Sequence, residues 1–414
     1  MASSRNLLLF TMRFPYGKGE AYLENELPVL AKRFTSIAVM PLFAEGGAHR
    51  DLPANTRTEV LVNDPYKPIG VLGFLKHRTV WNELVDGIRR SAPTKEVFNR
   101  RWTSEIRPRM RQALHRAILL KKAVEQGKLN LHDAVIYSYW AYDWPIAFAF
   151  LQRMLPDVKF VTRMHGFDLY ADREPDGWPA FRDLVMSHAS AVHVPSLAGM
   201  EHLKATAPQH AHKLVLSRMG TTDHGMAPWA PSDAIRLVSC SNLYPLKRVD
   251  LIIAALKHID RPVRWTHFGE GPEMDRLRAI ARELPTNVSA DFRGAVANAD
   301  LMQWYNENPV DLFVHMSASE GGIPVALQEA ASFGIPLLAA DAGGVCEIVD
   351  DRCGVLLRSD PAPEEIGTAV LRCCSAPYAM DAFRKGVRER WAVDFRAEDN
   401  FARLCDHLLA AEMN

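Results

Sequence analysis

The feature that most constrains this chain is a repeated alternation of short apolar runs with stretches of helical periodicity. Each run is long enough for one buried strand and too short for a typical buried helix. The runs cover Leu7 to Met12, Ile37 to Leu42, Ala134 to Tyr137, Lys159 to Thr162, Ala191 to Val194, Arg236 to Ser239, Val263 to Phe268, Leu312 to Met316 and Ile335 to Ala339. Such alternation is typical of βαβ units and predicts mostly parallel sheets, so we expect an α/β protein.

The length of 414 residues predicts more than one hydrophobic core. The segment from Asp223 to Ser232 combines two prolines and a glycine without periodicity, which is typical of a linker. We therefore predict a doubly wound, Rossmann-like domain over 1-225, a second over 233-394, and a C-terminal helix over 395-414 that packs back on the first domain. Two such domains facing each other would form a cleft at the carboxyl ends of their strands, where sheets of this kind bind ligands.

Charge is balanced over the whole chain but not locally. Lys and Arg total 49 and Asp and Glu total 49, which argues against a nucleic acid partner. Residues 76–122 nevertheless hold 13 basic and four acidic side chains, with apolar residues at helical spacing. An amphipathic surface of this kind suits peripheral contact with an anionic membrane and with a lipid-linked acceptor. A solvated face packed on the first domain is the alternative.

Cysteine usage and hydropathy narrow the class of protein further. The six cysteines lack the paired spacing of a metal site, so we expect reduced thiols and no metal. The first residues have too short an apolar run for a signal peptide, and no apolar stretch reaches about 18 residues. We expect a cytoplasmic protein, with peripheral binding to the inner face of the plasma membrane.

Glycine-containing loops follow several of the predicted strands. Gly17 and Gly19 come after the first strand and precede a helical stripe, so their backbone amides could approach an anion at a helix N-terminus. A tight turn without a ligand is the alternative, because a lone Gly-x-Gly is a weak motif.

The second half of the chain carries more of these loops. Lys247 and Arg248 follow the Arg236 to Ser239 strand, where cations could neutralise phosphate oxygens; a solvated basic pair is the alternative. Gly269 and Gly271 follow the next strand and permit close approach to a base. Further along the chain, Pro324 suits the first turn of a helix whose amides face a phosphate.

Taken together, these loops resemble glycosyltransferase family 4, and in particular its bacterial members that build capsular, exopolysaccharide or O-antigen chains. The resemblance runs from Phe14 through Tyr137 to Trp140, Arg163 to Tyr170 and the Lys247 loop, and ends at Gly354. It implies the GT-B fold, retention of anomeric configuration, and no metal or other cofactor. It also implies a nucleotide-sugar donor bound mainly on the C-terminal domain, with UDP favoured over GDP.

The resemblance implies individual roles as well. His165 and Glu320 are expected to act at the donor sugar, and Glu329 is expected to accept hydrogen bonds from the ribose hydroxyls. The expected donor-binding residues are Gly17, Gly19, Asn242, Lys247, Arg248, Gly269, Gly271, Gly321, Gly322, Ile323, Pro324, Val325 and Glu329. Residues expected to contact the acceptor or to support the contacting side chains are Glu20, Tyr139, Trp140, Arg163, Asp168 and Arg182.

Two departures from the family pattern stand out. The two family glutamates are separated by seven residues, whereas Glu320 and Glu329 are separated by eight, because Gly321 and Gly322 stand where one glycine is usual. Asn242 stands where the family has arginine in its phosphate loop, so Arg248 or Asn242 itself would have to replace the missing cation.

The expected reaction follows from these residues. Lys247, Arg248 and two helix N-termini, at Gly19 and Pro324, would stabilise the charge that develops on a departing nucleoside diphosphate. No convincing second carboxylate pairs with Glu320 for double displacement, so we favour front-face displacement with the departing phosphate as base, as is proposed for the family.

Three other classes of protein are considered. An epimerase would need several carboxylates and histidines around the sugar, and a phosphorylase would need a lysine for pyridoxal phosphate; the loops supply neither pattern. A catalytically degenerate scaffold in a polysaccharide assembly complex is the non-enzymatic alternative, favoured by Asn242 and the altered glutamate spacing. His165, Lys247 and Glu329 count against it.

Overall fold

The computed structural model describes residues 5–17, 19–45, 49–62, 64, 66–70, 102–170 and 179–411. The chain divides into two compact units. The first comprises Met1–Pro195, Gly199–Ser217 and Phe401–Asn414, and the second comprises Ser196–Ala198 and Arg218–Asn400.

The chain passes from the first unit to the second between Ser217 and Arg218, eight residues before the predicted end of the first domain at 225. The difference arises because the start of the predicted linker is bound within the second unit. Thr221 bridges to Arg396, Asp223 pairs with Arg388, and the indole of Trp229 donates to Asp311 at 2.7 Å.

Each unit contains one all-parallel sheet, which confirms the α/β class. The first sheet has the strand order β3-β2-β1-β4-β5-β6-β7, and the second has the order β10-β9-β8-β11-β12-β13. The strands are β1 Asn6–Thr11, β2 Ser36–Pro41, β3 Thr56–Thr58, β4 Ala134–Ser138, β5 Val161–Arg163, β6 Ala191–Val194, β7 Leu214–Leu216, β8 Ile235–Cys240, β9 Val263–Phe268, β10 Val288–Gly294, β11 Leu312–His315, β12 Leu337–Ala340 and β13 Gly354–Leu357. All nine predicted strands form, and the four that the apolar runs did not reveal are the two edge strands of each sheet.

Helices connect the strands and cover the sheets. They are α1 Leu23–Arg33, α2 Arg107–Glu125, α3 Trp144–Leu151, α4 Gly166–Leu169, α5 Arg182–His188, α6 Leu197–Thr206, α7 Val249–Leu256, α8 Met274–Ala281, α9 Asn298–Glu307, α10 Val325–Ser332, α11 Pro363–Cys373, α12 Asp381–Phe395 and α13 Ala397–Ala410. A π-helical turn spans Trp102–Ile106, and 3₁₀ turns span Pro208–Lys213, Pro245–Lys247 and Val345–Glu347.

The last helix, α13, begins in the second unit and ends in the first, where Phe401, Leu404 and Leu408 are fully buried. Asp406 on this helix pairs with Arg33 at the end of α1. These contacts explain why residues from Phe401 onward belong to the first unit.

Strand order positions the candidate site. In each sheet the chain reverses its direction of travel beside the first strand, between β1 and β4 in one unit and between β8 and β11 in the other. Loops that leave neighbouring strands at such a point go to opposite faces and leave a crevice outside the carboxyl ends. The loops after β8 and β11 contain Lys247 and Glu320, and those after β1 and β4 contain Glu20 and Trp140.

The basic segment 76–122 is described only from residue 102 onward, and its remainder lies outside the described residues. Several of its cations have partners within the first unit. Arg116 forms a buried ion pair with Asp143 at 2.9 Å, Arg111 donates to the carbonyl of Ile69, and Arg109 pairs with Glu105. Arg107 and Lys122 are exposed on α2. Part of the described positive charge is therefore paired within the first unit, and membrane contact stays a prediction.

Candidate active site

One carboxylate, that of Glu320, joins the loops at the switch point of the second unit. The ammonium group of Lys247 lies 2.5 Å from Glu320 Oε1, and His315 Nε2 donates to the same oxygen at 2.9 Å. His315 is the last residue of β11, and Lys247 ends the 3₁₀ turn after β8. The parallel pairing of β8 with β11 thus brings together side chains that are far apart in sequence.

The electrostatics of Glu320 favour its charged form. Burial alone would raise the pKa of this carboxyl, but the His315 hydrogen bond and the charge of Lys247 outweigh that effect and lower the pKa to about 2. Glu320 is therefore a carboxylate at neutral pH, able to accept hydrogen bonds and unable to donate a proton.

The second predicted cation, Arg248, contacts neighbouring loops of the second unit. Its guanidinium donates to the carbonyl oxygens of Met316, at 2.6 Å, and Ser359, at 2.7 Å, and pairs with Asp360. The backbone of Arg248 adopts a left-handed conformation with φ +47°. Asn242 is exposed on the same loop, and replacement of the missing family arginine by Arg248 or by Asn242 stays a prediction.

Glu329 lies in the second turn of α10 and is 7% exposed. Asn298, at the start of α9, donates to Glu329 Oε1 at 2.7 Å. Burial raises the pKa of Glu329 to about 7, and the Asn298 hydrogen bond only partly offsets that rise. A ligand that brings hydroxyl donors to this carboxyl would stabilise its charged form.

The helix that carries Glu329 begins one residue later than predicted. Pro324 is the residue before α10 and Val325 is its first residue. Gly321 and Gly322 lie in the loop ahead of it and Ile323 is 7% exposed. The loop after β12 packs on this segment: Gly343 has φ +58°, and a Cβ there would lie 2.4 Å from the carbonyl oxygen of Glu320. The loop that contains Glu320 thus packs directly on Gly343, a position that only glycine can occupy.

The glycines at positions 269 and 271 likewise allow two loops to pack closely. Gly269 has φ +135°, and a Cβ there would lie 1.9 Å from the carbonyl oxygen of Ser241. A Cβ at Gly271 would lie 2.6 Å from that of Leu243. These glycines allow the turn after β9 to pack directly on the loop that leads to Lys247, and their contact with a base stays a prediction.

In the first unit, His165 stands between two aromatic side chains. Its ring centroid lies 4.7 Å from that of Tyr139 and 4.5 Å from that of Trp140, and its Nε2 donates to the Tyr139 carbonyl oxygen at 3.0 Å. Burial and the nearby positive charge of Arg163 lower the pKa of His165 to about 3. The imidazole is therefore neutral at pH 7, which suits a hydrogen-bonding group better than a general acid.

The residues around His165 support it. Asp168 accepts hydrogen bonds from the backbone amides of His165 and Ala141, and its own pKa is raised to about 7 because burial outweighs those bonds. Arg182 donates to the carbonyl of Leu169 at 2.7 Å. Tyr139 is 1% exposed and Trp140 is half-buried.

Arg163 cannot contact a substrate in this structure. Its side chain and that of Glu26 are both fully buried and form an ion pair at 2.5 Å. Arg163, the last residue of β5, therefore lies in the interior of the first unit, where its charge acts on His165, and of the two roles expected for it only support of the contacting side chains remains.

The loop after β1 differs from its prediction. Helix α1 begins at Leu23, so Gly17 and Gly19 do not stand in its first turn and no helix N-terminus lies at Gly19. The amides of Met12, Arg13 and Phe14 donate to the side chain of Glu20 at 2.7 to 2.9 Å. These three amides therefore already have an acceptor, the carboxylate of Glu20. Donor binding by Gly17 and Gly19 stays a prediction.

Sequence reasoning missed two residues of this site. His315 lies within an apolar run and looks like a core position; its place at the carboxyl end of the strand, five residues before Glu320, is the signal that could have revealed it. Asn298 is exposed at a helix start, and only the tertiary fold brings it to Glu329. Among the described residues, no group of three or more His, Cys, Asp or Glu could hold a metal ion.

Comparison with known proteins matches both the site loops and the fold. Residues 228–390 match the family described as Glycosyl transferases group 1. A putative colanic acid biosynthesis glycosyltransferase of Escherichia coli, WcaL, is 21% identical over 94% of this chain and 96% of its own length. A GDP-mannose-dependent alpha-mannosyltransferase of Mycobacterium tuberculosis is 29% identical over 56% of this chain and 58% of that protein.

Two solved structures show the fold. HepE from Anabaena, in complex with UDP and glucose, superposes with a TM-score of 0.64 at 17% identity, covering 98% of this chain and 100% of that one. The apo form of the lipopolysaccharide outer core galactosyltransferase WaaB has a TM-score of 0.67 at 13% identity, covering 96% and 98%. With two Rossmann-like parallel sheets, the chain has the GT-B fold that was expected.

We expect Lys247 and Arg248 to differ in their contribution to nucleotide binding. Replacing Lys247 with alanine should weaken binding of a nucleoside diphosphate by about tenfold or more, because a charge-assisted contact is lost. It should also lower the melting temperature, because Glu320 loses its ion-pair partner. Replacing Arg248 with alanine should lower the melting temperature and change the affinity little, since contacts with the carbonyls of Met316, Ser317 and Ser359 and with Asp360 are lost. Calorimetric titration and thermal unfolding of both variants measure this. Equal loss of affinity with unchanged stability in Arg248→Ala would contradict the assignment.

Glu329 should make donor affinity depend on pH. Its pKa is about 7 in the free protein, and hydroxyl donors from a ribose should lower it in the complex. Binding then releases a proton at pH values below 7, so affinity should fall by up to about tenfold per pH unit below 7 and level off above it. A nucleotide sugar is the suitable ligand, because both phosphates of its diphosphate are esterified and neither titrates near pH 7. The slope should vanish in Glu329→Gln, and a slope that persists there would assign it to another group.

Proposed function

We propose that this chain, a glycosyltransferase whose residues 228–390 belong to the glycosyltransferase group 1 family, retains the anomeric configuration of the sugar and works without a metal ion. The donor is a nucleotide sugar, with UDP favoured over GDP, and the acceptor is a glycan or a lipid-diphosphate-linked saccharide. The proposed setting is bacterial polysaccharide biosynthesis in the cytoplasm.

The observation that carries the proposal is that Lys247 and His315 both bind the same carboxylate oxygen of Glu320. In the free protein Lys247 pairs with Glu320, so the ammonium group is already partly desolvated and held at the switch point. A diphosphate that enters can draw Lys247 away, while His315 continues to hold Glu320 in place. Glu320 then has an acceptor oxygen for a hydroxyl group of the donor sugar, which couples diphosphate binding to sugar recognition.

The chemistry then requires charge stabilisation more than a nucleophile. The bond between the anomeric carbon and the phosphate oxygen breaks, and the acceptor oxygen bonds to that carbon on the same face. The acceptor proton passes to the departing phosphate. Lys247 and the amides at Val325, the start of α10, stabilise the negative charge that develops on the leaving group.

The relatives support a nucleotide-sugar donor, but they differ in the nucleotide. The Anabaena structure contains UDP and glucose, while the mycobacterial relative is GDP-mannose-dependent. The role in polysaccharide synthesis draws support from the putative colanic acid biosynthesis glycosyltransferase of Escherichia coli, which matches this chain over 96% of its own length. These properties belong to those proteins, and we extend them to this chain as a proposal.

The proposed membrane contact is peripheral. In the described part of the chain, no helix has the length and apolar character needed to cross a membrane. Arg107 and Lys122 are exposed on α2, an arrangement that could bind anionic headgroups.

A donor screen tests the reaction. With EDTA present, wild-type protein should transfer or slowly release sugar from one of the UDP-, GDP-, ADP- or TDP-sugars, and the product should keep the anomeric configuration of the donor. Glu329→Ala should lose nucleotide binding. His165→Ala should keep binding and lose sugar release by about 10² to 10³, the scale expected for a transition-state contact.

Glu283→Ala, which removes an exposed carboxylate of the second unit, is the matched control and should behave as wild type. Activity that EDTA abolishes would contradict metal independence, and an inverted product would contradict retention.

Liposome binding tests the membrane proposal. Reversing the charge of Arg107 and Lys122 together should reduce retention on vesicles that contain acidic lipid, because each exposed cation near such a surface contributes about 1 kcal/mol. The control reverses Lys128 and Lys204, which are exposed elsewhere in the first unit. Equal retention of both double variants would argue against α2 as the contact surface.

A further inference from the structure

The side chain of Glu20 occupies a site made for an anion. Its Oε1 accepts from the Met12 amide at 2.9 Å and from the Trp140 indole at 2.8 Å, and its Oε2 accepts from the amides of Arg13 and Phe14, both at 2.7 Å. Each carboxylate oxygen thus receives two donors. Three consecutive backbone amides converging on one point form a concave anion-binding site.

The backbone is shaped to place this carboxylate there. Glu20 adopts the left-handed conformation with φ +57°, which is uncommon for a residue with a side chain and costs free energy. The side chain turns back across the loop toward the end of β1. Several hydrogen bonds to a charged acceptor compensate for that cost.

Glu20 also determines the position of Trp140. The Trp140 indole is bound to Glu20 on one side, and its ring lies 4.5 Å from the ring of His165 on the other. The following amide, that of Ala141, is bound to the Asp168 carboxylate at 2.8 Å. Two carboxylates from different loops therefore hold the segment after β4, whose Tyr139 carbonyl in turn accepts from His165.

We propose that Glu20 is a positioning residue for the transfer reaction: its carboxylate serves as a permanent internal anion that fills the amide site after β1 and fixes Trp140 against His165. The inference rests on the proposed function. It follows that the amides of residues 12–14 do not bind the donor diphosphate, which is held by the second unit instead. Loss of Glu20 therefore impairs turnover and leaves nucleotide affinity unchanged.

The test compares Glu20→Ala with Glu24→Ala, which removes an exposed carboxylate from the start of α1. In Glu20→Ala, kcat should fall by about tenfold or more, while the Kd for the nucleoside diphosphate should stay within about twofold of wild type. Sodium formate, whose carboxylate fits the vacated amide site, should restore turnover in a saturable way in this variant alone. It should also raise the melting temperature of Glu20→Ala, and not that of wild type or Glu24→Ala.

Two further variants cover the case in which Glu20→Ala folds poorly. Glu20→Gln keeps the shape but offers one acceptor oxygen where four donors need two, so its kcat should also fall. Trp140→Phe removes the indole donor and reduces the ring surface that faces His165, so kcat should fall, and the Glu20→Gln effect should be smaller in that background. Additive effects would overturn the link between Glu20 and Trp140.

The outcomes separate this inference from the proposed function. If wild type transfers sugar but formate neither stabilises nor reactivates Glu20→Ala, the internal-anion assignment is wrong. A parallel loss of nucleotide affinity in that variant would equally overturn it, because the loop would then act on the donor diphosphate. If wild type transfers no sugar while formate still stabilises Glu20→Ala alone, the proposed function fails and the anion site stands.

Discussion

Parallel strand pairing at the reversal of strand order is the constraint on which the rest of this molecule depends. β8 and β11 are neighbours in the second sheet although two strands and three α-helices separate them along the chain. Their carboxyl ends deliver Lys247 and His315 to the same oxygen of Glu320. A charged pair and a histidine could hardly be assembled so closely from a single loop, and their mutual contacts offset the cost of burying a carboxylate.

The two units treat negative charge differently. In the second, a cation is paired with a carboxylate that has another hydrogen-bond donor, so the cation can change partner when an anionic ligand arrives. In the first, the amide donors after β1 are already bound to Glu20. We therefore propose that the loop after β1 supports Trp140 and His165, and that the loops around Lys247 and the start of α10 stabilise the charge of the leaving group.

Much of the fold could be predicted from the sequence because buried parallel strands are apolar on both faces and leave continuous runs. The strands that escaped detection, β3, β7, β10 and β13, all lie at sheet edges, where one side has no partner strand and burial is lower. Val288–Gly294, for example, alternates between half-buried and exposed residues, a pattern that carries little apolar signal.

The candidate site was harder to predict, for physical reasons. Adjacent basic residues look equivalent in sequence, yet the guanidinium of Arg248 donates to the carbonyls of Met316 and Ser359, whereas Lys247 reaches Glu320. His315 was hidden because a histidine in an apolar run has no distinguishing mark. Glu20 and Asp168 bind backbone amides, and such contacts depend on loop conformation that residue spacing does not reveal.

Hydrogen exchange with and without a nucleoside diphosphate tests the central claim most directly, namely that the second unit supplies the diphosphate site. The account predicts slower exchange in peptides covering residues 241–248 and 317–329, with unchanged exchange at residues 12–14, whose amides already have acceptors. Protection of residues 12–14 on ligand addition, with no change around Lys247 and Glu320, would contradict it.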